Sequence, residues 1–93
     1  MIRTFRSKAL SRYWTKADSS GLRPDWIKRI RLVLSRLDAA SIPQEMDLPG
    51  LGLHALVGDQ TGRFSVTVSR NWRMTFAFDG EDAVDVDLED YHG

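Results

Sequence analysis

Residues 64–90 read FSVTVSRNWRMTFAFDGEDAVDVDLED, and the period of this stretch decides the fold. Phe64, Val66 and Val68 alternate with Ser65, Thr67 and Ser69. Trp72, Met74, Phe76 and Phe78 alternate with Arg73, Thr75 and Ala77, and Val84, Val86 and Leu88 with Asp85, Asp87 and Glu89. A period of two marks a strand with one buried and one wet face. Arg70-Asn71 joins the first pair tightly, and Asp79-Gly80 is a hairpin signal between the second pair. The three runs predict an antiparallel meander, with residues 53–56 as a further short strand.

Upstream the period changes. Residues 41–52 form a connector containing Pro43, Pro49, Gly50 and Gly52. Before it, Ile27, Ile30, Leu34 and Leu37 recur at helical spacing, with Trp26 and Val33 on the same side. Pro24 suits the first turn of this helix, and Asp25 its positive dipole end. Lys28, Arg29, Arg31 and Arg36 lie outside the apolar arc, which gives the helix a basic outer surface. An earlier helix starts after Ser7 and carries Leu10, Tyr13, Trp14 and Ala17 on one face. Asp18-Ser19-Ser20-Gly21 stops it, with Gly21 as the expected C-terminal cap. Residues 2–5 are a short β-prone run. The chain therefore reads as α+β: a strand, two helices, then a meander of three or four strands. The helices cover the Val/Phe/Trp face of the sheet. Trp14, Trp26 and Trp72 fit this core, and the other face is left polar and open, where a site can be placed.

A length of 93 residues allows one domain, spanning 1–93, and 42% apolar residues suffice for its core. The absence of cysteine excludes a disulfide scaffold, a thiolate zinc site and a cysteine nucleophile, and suits a reducing cytoplasm. No apolar stretch approaches the ~20 residues that cross a bilayer, and the N-terminus has no signal-peptide core. The zero net charge conceals a split. Residues 1–45 hold ten basic side chains against four acids, and residues 46–93 hold three against nine. Such asymmetry points to an anionic partner for the basic half, or to two solvated faces.

Few residues could carry chemistry. The two histidines are His54 and His92, and His92 closes the unit Asp90-Tyr91-His92. By alternation Arg73 shares the wet face with Thr75, and Tyr91 continues the parity of Asp85, Asp87 and Glu89. An arginine near two imidazoles and a phenol suits phosphodiester cleavage. The cation holds the phosphate and the imidazoles move protons. RNA supplies its own nucleophile, the 2′-hydroxyl, so no metal is required. Each residue also has a structural reading. His54 lies in a Leu-rich segment as a partly buried imidazole would, Arg73 can pair with Asp85 or Asp87 across strands, and Asp90-Tyr91-His92 can be a frayed tail. The Asp85, Asp87 and Glu89 row suits the solvated side of an edge strand better than a magnesium site. Together with Asp90 its charge would repel RNA unless the carboxylates face away or Arg70 and Arg73 neutralise them; otherwise activity is weakened. No serine-hydrolase motif and no phosphate-binding glycine loop is present.

Leu53-His54-Ala55-Leu56-Val57-Gly58, Gly62, Ser65, Val68, Trp72-Arg73-Met74-Thr75-Phe76 and Asp90-Tyr91-His92 together resemble the HigB family of toxins, within the RelE/ParE superfamily. The Met1-Ile2-Arg3-Thr4-Phe5 opening and Leu37-Asp38-Ala39-Ala40 are similar too, so the resemblance covers nearly the whole chain. The Trp-Arg-x-x-Phe strand and the Asp-Tyr-His ending are its most specific parts. It implies a RelE-like β-α-α-β-β-β fold. The implied activity is that of a ribosome-dependent endoribonuclease that cuts mRNA in the ribosomal A site, without a metal or cofactor. His54, Asp90, Tyr91 and His92 become the catalytic candidates, with Arg73 on the scissile phosphate. Arg3, Arg6, Lys8, Arg12, Lys16, Lys28 and Arg70 become candidates for contacts with RNA and the small ribosomal subunit. The implied partners are a helix-turn-helix, HigA-like antitoxin and, through that complex only, operator DNA. The setting is the cytoplasm, with no membrane partner. An alternative on the same fold is a ParE-like, non-enzymatic inhibitor of DNA gyrase. ParE-like members generally lack the His-bearing ending, which favours the nuclease.

Overall fold

The computed structural model describes residues 1–90. Helix α1 spans Lys8–Lys16 and begins where Ser7 caps it, the hydroxyl accepting the Leu10 N–H at 3.1 Å. It ends at Ala17, whose φ of 54° places it in the left-handed region. Gly21 is therefore not the cap. It permits close packing instead, since a Cβ there would lie 3.0 Å from the Ala9 Cβ. Pro24–Trp26 forms a 3₁₀ turn leading into α2, Ile27–Ala39. Ile30, Val33, Leu34 and Leu37 are its buried residues, on the arc that the spacing predicts.

Strand β1 is His54–Ala55, β2 Phe64–Thr67, β3 Trp72–Asp79 and β4 Asp82–Asp90. They pair antiparallel in the order β1-β2-β3-β4. The hairpin between β3 and β4 turns through Gly80, at φ 63°. Val66, Met74, Phe76 and Val86 from the sheet meet Leu10, Ile30, Leu34 and Leu37 from the helices in one buried cluster. Both helices thus cover a single face of the sheet, as expected. Trp14 and Trp26 pack half-buried against this cluster, while Trp72 stands against Trp26 with ring centroids 5.4 Å apart.

One departure reshapes β4. Thr75 faces Asp87, but Ala77 faces Val84, so Asp85 and Val86 together oppose Phe76. Asp85 forms this bulge at φ 53°. Before the bulge Ala83 enters the core, and Val84 shares the opposite side with Ala77. The simple alternation of Val84 with Val86 and Leu88 therefore fails at one residue. The bulge also explains the first segment. Ile2 and Phe5 run parallel to β4 but pair only as two isolated bridges, to Ala83 and Val86. Between them the Asp85 N–H is taken by the Thr4 hydroxyl at 2.8 Å, so no continuous ladder forms. Among the described residues, no helix is long and apolar enough to cross a membrane.

Candidate active site

The uncovered sheet face gathers polar side chains in two lateral rows. His54 on β1 lies opposite Ser65 on β2, which lies opposite Thr75 on β3, which faces Asp87 on β4. The next row runs Thr67, Arg73, Glu89. Arg73 lies in this second row, and its guanidinium is fixed on several sides. Nε donates to the Ser65 hydroxyl at 2.8 Å, Nη1 to the Thr67 hydroxyl at 3.2 Å and Nη2 to the Gly52 carbonyl at 2.6 Å. Gly52 adopts φ 60°, and a Cβ there would lie 3.4 Å from the Thr67 hydroxyl. Glycine thus lets the backbone carbonyl approach. These bonds fix the plane of a guanidinium, a group whose paired N–H donors match the geometry of a phosphate.

His54 is exposed, unlike the partly buried imidazole that its Leu-rich neighbourhood suggested. Its strand is held next to Arg73 by the preceding loop. The Thr67 N–H donates to the Leu51 carbonyl at 2.7 Å. Arg29 reaches from α2, with Nε to the Thr67 carbonyl at 3.1 Å and Nη2 to the Gly50 carbonyl at 2.5 Å. The sequence places Arg29 on a solvated helix surface and gives no sign of this clasp. Asp90 ends β4 in register with Trp72, one residue from Arg73. Tyr91 and His92, the other candidates from the sequence, lie outside the described residues.

The acidic row is not averted as a whole, and its carboxylates meet different partners. The bulge sends Asp85 outward, where Arg6 lies 3.9 Å from it. The Asp87 carboxylate takes the Leu88 N–H at 2.9 Å. Glu89 accepts from the Thr75 hydroxyl at 2.5 Å and the Gln60 amide at 3.3 Å. Beneath them sits Arg63, only 7% exposed. Its Nη2 donates to the Thr75 hydroxyl at 2.8 Å and the Asp85 carbonyl at 2.9 Å, and lies 4.0 Å from Glu89. Burial, and then the Arg6 charge, pull Arg63 below the ordinary arginine range, while Glu89, Asp85 and Asp87 push it back up. Arg63 escaped the sequence reading, although it has the parity of Ser65 and so belongs on this face.

The basic candidates divide into groups. Arg3 pairs with Asp79 and Asp82, and Arg6 with Asp85, so the basic N-terminus partly neutralises the acidic hairpin of the same chain. Lys8, Arg12 and Lys16 are exposed on α1, Lys28 on α2, and Arg70 in the turn before β3. Among the described residues no group of three His, Asp or Glu side chains could hold a metal ion.

Comparison with known proteins gives this surface a context. Residues 3–92 match the family model of the RelE-like toxin of the type II toxin–antitoxin system HigB. The chain is 38% identical to Endoribonuclease HigB of Proteus vulgaris over 92 residues, covering 99% of this chain and 100% of that protein. Among solved structures, a copper-bound mutant toxin from Helicobacter pylori is similar in fold, with a TM-score of 0.55 at 14% identity over 98% of this chain and 96% of that one. The family model over residues 3–92 and the whole-length relative make this chain a member of the HigB family of RelE-like toxins of type II toxin–antitoxin systems.

Proposed function

We propose that this toxin, an endoribonuclease with a cognate antitoxin as its partner, cuts mRNA on the ribosome. The observation that carries the reading is the fixed Arg73 fork on the open sheet face, flanked by exposed His54 and by the Asp90 end of β4. In this scheme the 2′-oxygen of the substrate bonds to the adjacent phosphorus as the bond from phosphorus to the 5′-oxygen breaks. One protein group removes the 2′-hydroxyl proton and another protonates the departing 5′-oxygen, with no metal in either role. His54, Asp90, Tyr91 and His92 are the candidates for these two transfers. Arg73 holds the phosphate and stabilises the charge that builds on its oxygens. Lys8, Arg12, Lys16, Lys28 and Arg70, with Arg3 and Arg6 at the hairpin edge, face ribosomal RNA phosphates that line the A site. The antitoxin is helix-turn-helix and HigA-like, it carries the toxin to operator DNA, and the complex acts in the cytoplasm. The whole of residues 1–93 serves as one toxin domain.

The test uses purified protein in a cell-free translation system, with new 5′ ends mapped by primer extension. In-frame cuts that require both ribosomes and His92 are expected. Naked mRNA stays intact, and His92→Ala is inactive with an unchanged circular dichroism spectrum. A soundly folded protein that makes no cuts on ribosomes refutes the nuclease, and a gyrase supercoiling assay then decides the ParE-like alternative.

A further inference from the structure

We propose that Arg63 is a positioning residue: it is the internal counter-ion that keeps the acidic end of β4 from repelling RNA, so that a phosphodiester can reach Arg73. The inference deepens the nuclease reading above and rests on it. Its first support is that Arg63 is poorly explained as a device for stability. The side chain is 7% exposed, and its Nε and Nη1 are buried with no hydrogen-bond partner among the described residues. A buried cation with two orphaned N–H groups is costly, and a neutral or apolar side chain of similar size would hold the sheet together at lower cost. What such a replacement cannot supply is positive charge.

The second support is where that charge lies. Asp85, Asp87 and Glu89 all bear on Arg63. Asp85 already has Arg6 on its outer side. Asp87 and Glu89 remain on the open face, in the same two rows as His54 and Arg73. The Thr75 hydroxyl relays Arg63 to Glu89, and Thr75 lies opposite Ser65, the residue that holds Arg73 Nε. Arg63 and Arg73 therefore hold neighbouring positions on one face, each bonded to one of two hydroxyl residues that lie opposite each other. In the nuclease reading Arg73 takes the substrate phosphate, while Arg63 balances the carboxylates that would compete with it. In a partly buried network, charge interactions are weakly screened, so removing one cation leaves Asp87 and Glu89 to oppose a polyanion directly.

The experiment measures binding, which stays readable where cleavage is lost. Fluorescently labelled toxin is titrated with purified ribosomes carrying an mRNA whose A-site sugars are 2′-O-methylated, and with that RNA alone, and anisotropy is read. Arg63→Gln should weaken binding by about tenfold, since a full charge is lost near the phosphate. Arg63→Lys keeps the charge and should bind within about twofold of wild type, although both variants lower the melting temperature. Adding Glu89→Gln to Arg63→Gln should recover most of the lost affinity, because the uncompensated carboxylate is gone. If Arg63→Lys and Arg63→Gln weaken binding alike and Glu89→Gln restores nothing, Arg63 is only structural and the proposal fails, while wild-type binding leaves the nuclease reading standing. If wild-type protein binds neither probe, the nuclease reading fails and takes this proposal with it.

Discussion

The two faces of the sheet both hold buried side chains, but by different means. Toward the helices, Val66, Met74, Phe76 and Val86 are buried in apolar contact, and Phe76 stacks with Phe64 and meets Phe78 edge-on. On the other face, Arg63, Ser65 and Thr75 are buried on the side away from α1 and α2. They are covered by one another, by Arg73 and by Glu89, through hydrogen bonds. The first face tolerates a change of shape poorly but needs no particular partner. The second depends on particular donors meeting particular acceptors, and it leaves Arg63 Nε and Nη1 without one among the described residues. A small sheet thus has a core built from contact area, and beside it a rigid polar surface on which a charged substrate can be held.

Replacing one residue on each side tests this contrast. Phe76→Ala removes the largest fully buried side chain and should cost ~4 kcal/mol, read as a lowered urea midpoint. A loss below ~2 kcal/mol would mean that the helices collapse onto the cavity and that the core face is softer than its packing suggests. Arg73→Lys keeps the charge on the open face but loses the fork. Its cleavage rate in translating extract should fall by about a hundredfold, close to 3 kcal/mol of transition-state stabilisation. Its urea midpoint should fall much less than that of Phe76→Ala. If the two losses of stability are comparable, Arg73 is chiefly a pillar of the loop at Gly52, and the division between a structural and a functional face breaks down.

How far these faces can be read from sequence depends on the kind of order involved. Alternation in residues 64–78 identifies the core side without error, because a period of two is a local property of each strand. It fails at Asp85, because a bulge is set by twist and by the Thr4 hydroxyl waiting across the chain, and neither leaves a trace in the alternation. The excess of basic residues in the first half is plain. That Arg3 and Arg6 fold back onto Asp79, Asp82 and Asp85 is not, because it depends on a parallel contact some eighty residues away in sequence. The site itself is half legible. The strand Trp72-Arg73-Met74-Thr75-Phe76 and His54 stand out as candidates by composition and resemblance, whereas the exposure of His54 does not. Arg63 shares the parity of Ser65, yet its burial follows only from the meeting of Thr75, the bulged Asp85 carbonyl and Glu89. Arg29 offers no signal, because a basic residue on the outer surface of a helix looks the same whether it is solvated or clasping a loop.

The smallest change gives the finest test of the second face. Thr75 and Phe76 are neighbours on β3 that point to opposite sides, so Thr75→Val alters only the polar side while keeping shape and strand propensity. The variant removes the hydroxyl that takes a hydrogen bond from Arg63 and gives one to Glu89. Arg63 keeps the Asp85 carbonyl and Glu89 keeps Gln60, so neither partner is stranded. The expected cost is therefore ~1–2 kcal/mol rather than the larger penalty of an orphaned buried charge. Urea denaturation with an unchanged m-value measures it. A cost near zero would show that Arg63 and Glu89 close their 4.0 Å gap into a direct ion pair once the hydroxyl is gone. The open face would then be held by charge, with the hydroxyl relay an accessory. A cost above that range would show that the relay is the link that keeps the carboxylate in place.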